Sequence, residues 1–163
     1  MLARLDNFRD FAQSAKGISK EIANKRADAL FSFYASHPYF KELSDSSASV
    51  TIDGHSANIV FVDNKPVFMD VYWPMPMFRI VDHVLATARI AACVRVFAGD
   101  KLANVMYSIY AKNRTLPPRE ILNFYETYNA LVMGYYFIHI KRPELVEPYF
   151  NFADKNLARL KVA

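Results

Sequence analysis

Apolar positions recur every three to four residues along most of the chain, the spacing of one buried face of an α-helix. Leu2, Leu5, Phe8, Phe11 and Ala12 predict a first helix that stops near Gly17. Ile22, Ala29, Leu30, Phe33 and Tyr34 predict a second, running from about Ser19 to Ser36. "SHPYF" interrupts it, and "SDSSAS" reads as a polar loop. The helical period returns over Phe78 to Phe97 and breaks at Gly99–Asp100, with Asp100 as an N-cap. Lys101 to Lys112 follows as a helix with Leu102, Val105, Met106 and Ile109 on one side. Pro117–Pro118 opens a helix that runs to about His139, and Pro143 opens the last one, which ends near Leu160.

Between these helices the period changes to two. In "TIDGHSANIVFVDNKPVFMD", residues 51–70, Val60 and Val62 are β-branched, Asp63-Asn64-Lys65 is turn-like, and Val67 and Phe68 resume an extended pattern. This predicts a β-hairpin over residues 59–70. The two prolines of "YWPMPM" forbid a regular ladder beyond it. The pattern as a whole is mainly α (α+β): about six helices and one small hairpin. No repeat or linker divides it, so the 163 residues are read as a single domain, 1–163.

Composition sharpens the picture in three places. The chain is 53% hydrophobic and 15% aromatic, with thirteen Phe and ten Tyr. That richness fits a tight aromatic core or an exposed partner surface, and the sequence leaves both open. The net charge is +4, but Lys20, Lys25, Arg26, Lys41, Arg114, Arg119, Lys141 and Arg142 are scattered. They read as a solvated surface and not as a nucleic-acid site. Cys93 is the only cysteine and lies in the apolar run "ARIAACVRVF", where it reads as a buried hydrophobe; no intrachain disulfide or cysteine zinc cluster is available. "MLARLDNFRD" lacks the apolar core of a signal peptide, and no apolar run reaches the ~18 residues of a membrane span. A reducing, cytoplasmic setting with no membrane is the expectation.

Candidate chemistry concentrates at the hairpin. Taken singly, Asp53-Gly54-His55 is an ordinary polar turn, and Ser56 lacks the setting of a hydrolase nucleophile. His37, His83 and His139 show no paired ligand spacing and carry no assigned chemistry. Taken together, Asp53, Asn58 and Asp70 lie at the mouth of one hairpin, whose ends are adjacent. An amide oxygen from Asn58 and a carboxylate from Asp70 suit a hard cation such as Mg²⁺. Asp53, five positions before Asn58, is placed to accept a proton from a hydroxyl, the division of labour in phosphoryl transfer.

These residues resemble the catalytic segment of the aminoglycoside phosphotransferase-like (kinase-like) families. The likeness is nearest to the phosphotransferase domain of bacterial proteins that join it to an AAA-type ATP-binding domain. The family pattern is roughly H-G-D-L-H-x-x-N-I-V, a short turn, then a hydrophobic strand ending in F-D. The resemblance implies Asp53 as the catalytic aspartate, His55 as the second histidine, and Asn58 and Asp70 as metal ligands. "FRIVDHVLATARIA" resembles the family helix with a buried aspartate, which makes Asp82 the residue that braces the catalytic loop alongside His55. The likeness is close over Asp53 to Asp82 and loose over Phe8 to Ile140. ATP and Mg²⁺ are the implied cofactors.

The chain also departs from the family. Thr51 and Ile52 replace the first histidine and glycine, and "VYWPMPM" stands where a further acidic residue is usual. Only about fifty mostly helical residues precede Asp53, so the resemblance is to the helical C-terminal lobe with the N-lobe absent. Two readings follow. One is the C-lobe of an ATP/Mg-dependent small-molecule phosphotransferase, truncated or one part of a split enzyme. The other is a non-catalytic degenerate lobe that acts as a binding or assembly module. A nucleic-acid-associated protein is a weaker third. Glu120, Glu126, Glu144 and Glu147 read as a solvated helix face and not as a cationic-substrate site, and the acceptor is not specified. Tyr72, Trp73, Met75, Met77 and Phe78 form a candidate surface for a homodimer or a separate partner.

Overall fold

In the computed structural model, which describes residues 1–42, 49–50, 58–69, 80–81 and 83–160, the chain is predominantly helical, with one small β-hairpin. The described helices are α1 (Leu2–Ser14), α2 (Lys20–Ser36), α3 (Tyr39–Glu42), α4 (His83–Ala98), α5 (Asp100–Tyr110), α6 (Arg119–His139) and α7 (Pro143–Leu157). The described strands are β1 (Ser49–Val50), β2 (Ile59–Val62), β3 (Lys65–Phe68) and β4 (Ile80–Val81). They gather into two compact units. One joins Met1–Asp45 to Pro118–Ala163, and the other is Ser46–Pro117.

The first unit packs α1 against α2 and α6 against α7, with further contacts of α1 and α2 to the second pair. Leu5, Phe8, Ala12, Leu30 and Phe33 are buried, on the period read from the sequence. Ile22 is not: it is 47% exposed, and Ala23, Arg26 and Ala27 face inward. Ser19 caps α2, its hydroxyl accepting from the Ile22 amide at 3.2 Å, which fixes where the helix begins. Among the described residues, much of the aromatic content packs in the core of this unit. Phe33 stacks on Phe124 at 5.3 Å, Phe40 leans on Phe124 at 5.0 Å, and Tyr135 meets Phe8 and Phe150 edge-on. Gly134 is a packing requirement: a Cβ there would sit 2.5 Å from the Phe150 ring, so its absence lets α7 approach α6.

Arg26 overturns the expectation that the basic residues are uniformly solvated. It is buried, and its Nε and Nη2 donate to the two carboxylate oxygens of Asp154 at 2.9 and 2.7 Å. Nη1 donates to the Tyr135 hydroxyl at 3.2 Å, and the guanidinium lies 3.9 Å from the Phe150 ring centroid. Burial works against the charge, but the bonds to Asp154 and Tyr135 outweigh it and hold the pKa above its usual value. The bidentate geometry is one that a planar guanidinium satisfies and an ammonium does not.

The second unit holds the strands and the α4–α5 pair. β2 and β3 are antiparallel, with Ile59 opposite Phe68 and Val62 opposite Lys65. β1 pairs with β4, Ser49 opposite Val81. This second ladder explains why the helix expected from Phe78 begins only at His83: Ile80 and Val81 are β-branched and are used as a strand. Gly99, not Asp100, is the N-cap of α5; its φ of 87° makes the sharp turn out of α4. Asp100 is the first helical residue, and its carboxylate accepts from Arg95 instead of capping the helix. Cys93 is buried, as expected.

Candidate functional site

The hairpin fixes Asn58 by backbone geometry. Asp63 and Asn64 have φ values of 49° and 59°, the two left-handed residues that a type I′ turn requires. Aspartate and asparagine enter that region more readily than other side-chain residues. The turn is thus two residues long, and Lys65 already belongs to β3. A two-residue turn sets the register, which runs back to Ile59 opposite Phe68. One step further, the Met69 amide donates to the Asn58 carbonyl at 2.8 Å and closes the open end. Asn58 is half-buried there, and Asp70 is the residue that follows Met69 in sequence. The hairpin body is exposed, with Phe61 at 72% and Val62 at 54%.

Of the five residues assigned from the sequence, Asn58 alone is described. Asp53, His55, Asp70 and Asp82 lie outside the described residues, and so does the Tyr72–Phe78 segment. Among the described residues no group of three His, Cys, Asp or Glu side chains is assembled as a metal site.

The helix that follows Asp82 carries two fastenings that the sequence did not announce. At its first residue, His83 Nδ1 is hydrogen-bonded to the Tyr110 hydroxyl, and the two rings stack at 5.9 Å. At its far end, Arg95 donates to Asp100 at 2.8 Å and to Asn104 at 3.3 Å. Together they tie both ends of α4 to α5. His83 and Tyr110 are 27 residues apart. No local spacing links them, so a histidine without assigned chemistry is here the anchor of the helix start.

Two acidic expectations separate. Glu120, Glu144 and Glu147 are exposed, as a solvated face requires. Glu126 is fully buried, as are its neighbours Thr127 and Asn129, because α6 is surrounded by protein over most of its length. Thr127 and Asn129 answer burial locally, donating to the Asn123 and Tyr125 carbonyls at 2.6 and 2.8 Å.

No protein-family model matches this chain, and neither does any curated protein or solved structure. Among the described residues, no helix is long and apolar enough to cross a membrane.

Proposed function

We propose that the chain is the helical lobe of a kinase-like phosphotransferase that moves a phosphoryl group from ATP to the hydroxyl of a small molecule. The observation that carries this reading is the closed end of the β2–β3 hairpin. The Asn58–Met69 bond sets Asn58 opposite the residue that leads into Asp70, at the sequence spacing of the phosphotransferase motif. The donor set fits the cation: an amide oxygen and a carboxylate are hard ligands of the kind Mg²⁺ takes alongside phosphate oxygens. In this reading Asn58 and Asp70 hold the ion. Mg²⁺-ATP, when bound, supplies the phosphoryl group and the neutralisation of its charge. Asp53 takes the proton from the attacking hydroxyl, and His55 and Asp82 hold the loop that carries Asp53. The fastening of α4 at His83 supports the bracing role of its neighbour Asp82, since a brace must itself be anchored.

Calorimetric titration with ATP, with and without Mg²⁺, tests the proposal on the intact chain or on its longer parent. Mg²⁺-dependent binding is expected, lost in Asp70→Ala and nearly unchanged in Asp53→Asn. Where turnover is measurable, Asp53→Asn should slow it by ~10²–10⁴-fold. Nucleotide binding without any dependence on Mg²⁺ or Asp70 removes the metal assignment. No binding at all leaves the assembly-module reading in its place.

A further inference from the structure

A cavity of about 440 Å³ opens within the first unit, between the turn that joins α1 to α2 and the turn that joins α6 to α7. The volume falls in the ~300–1,000 Å³ range of small-molecule sites. Its walls are apolar: Ile18, Phe137, Ile138 and Val146. Two lysines line it, Lys16 from the first turn and Lys141 from the second, with one acidic residue, Glu147. Glu147 also accepts from Asn151 at 3.4 Å, and the nearby Arg142 is neutralised by Glu144 at 2.5 Å. Two lysines less one glutamate leave the cavity with a single net positive charge.

Lys141 is held there against its conformational preference. It has φ of 57°. Its amide donates to the Ile138 carbonyl at 3.1 Å, and the Arg142 amide donates to the Phe137 carbonyl at 2.8 Å. This is the Schellman ending of a helix, and the left-handed position belongs by preference to glycine. A side chain kept at such a position costs stability, and strained residues of this kind cluster at ligand clamps. Here the strained residue is one of the two cations at the cavity.

We infer that this cavity binds a small amphipathic monoanion: an apolar body against Ile18, Phe137, Ile138 and Val146, and one carboxylate between Lys16 and Lys141. The single net positive charge favours a carboxylate over a doubly charged phosphate. The site stands whether or not the chain transfers phosphate.

Calorimetric titration of the full chain with decanoate tests it, with decanol and decyl phosphate as comparisons. Saturable one-to-one binding of decanoate is expected, about threefold to tenfold tighter than decanol. Lys141→Gly separates function from fold. It should raise Tm by about 2–4 °C by relieving the left-handed strain, and weaken decanoate by about threefold to tenfold. Lys16→Ala should weaken decanoate to a similar degree without the gain in Tm. Absence of saturable decanoate binding overturns the site. Unchanged affinity in Lys141→Gly overturns the role of the strained lysine. Preference for decyl phosphate overturns the monoanion assignment.

Discussion

Arg26 shows what one buried charge asks of its surroundings. Its guanidinium is answered by the Asp154 carboxylate, the Tyr135 hydroxyl and the Phe150 ring, contributed by two different helices. The Tyr135 phenol pays for this position: burial raises its pKa above the usual value, and the bond from Arg26 offsets only part of that rise. The sign of the consequence is fixed by linkage. A folded-state pKa above the unfolded one gives stability that is complete below about pH 10 and is lost as pH climbs towards the folded value. Tyr135→Phe should therefore cost about 1 kcal/mol near neutrality, the worth of one hydrogen bond. The gap from wild type should then narrow above about pH 10. Urea melts of both proteins between pH 7 and 11 decide it. Parallel stability curves would show that the phenol does not titrate differently in the fold.

At the scale of elements, α6 and α7 meet across Gly134. The Phe150 ring carbons lie 2.5 and 2.7 Å from where a Cβ would be, closer than carbon atoms pack. Gly134→Ala should destabilise the first unit by about 1–3 kcal/mol, because the ring must leave its contact with Tyr135. Thermal melting followed by far-ultraviolet circular dichroism measures this, and an unchanged Tm would mean that the helices separate freely. Helix existence was legible in the sequence from the apolar period, as in α1 and α2, and from the prolines that precede or open α6 and α7. The one small hairpin was legible from its β-branched residues and its Asp-Asn turn. What was not legible was orientation. Leu102, Val105 and Ile109 share one side of α5 as the period says, yet that side is exposed, and Ala103 and Tyr107 face the protein. Periodicity identifies a stripe but not what covers it. Nor could local pattern find the Ile80–Val81 strand, whose partner lies some thirty residues earlier in the chain. At the candidate site, the motif spacing named five residues, and the hairpin register accounts for one of them, Asn58.

At the scale of the molecule, the second unit is an insertion in the chain of the first. The ends of the first unit's two segments are near each other: His37 Nε2 is 3.8 Å from Glu120, and Phe40 packs on Phe124. Replacing residues 46–117 with a short Gly/Ser linker should therefore leave a helical protein that unfolds cooperatively. Nine of the twelve exposed large apolar residues among those described lie in the excised unit. Any self-association of the whole chain should accordingly fall away in the shortened one. Sedimentation of both at the same micromolar concentration measures it, and equal association would move the sticky surface to the first unit. The same discontinuity sets a timetable during synthesis. The bond from Arg26 to Asp154 spans 128 residues. At about 5–20 residues per second, α1 and α2 wait roughly 6–25 s between their own emergence and that of α7. Phe33 lacks its stacking partner Phe124 until α6 emerges, while the inserted unit, contiguous in sequence, has all its parts before then. The nascent chain thus holds all of its middle before the core of its beginning can close.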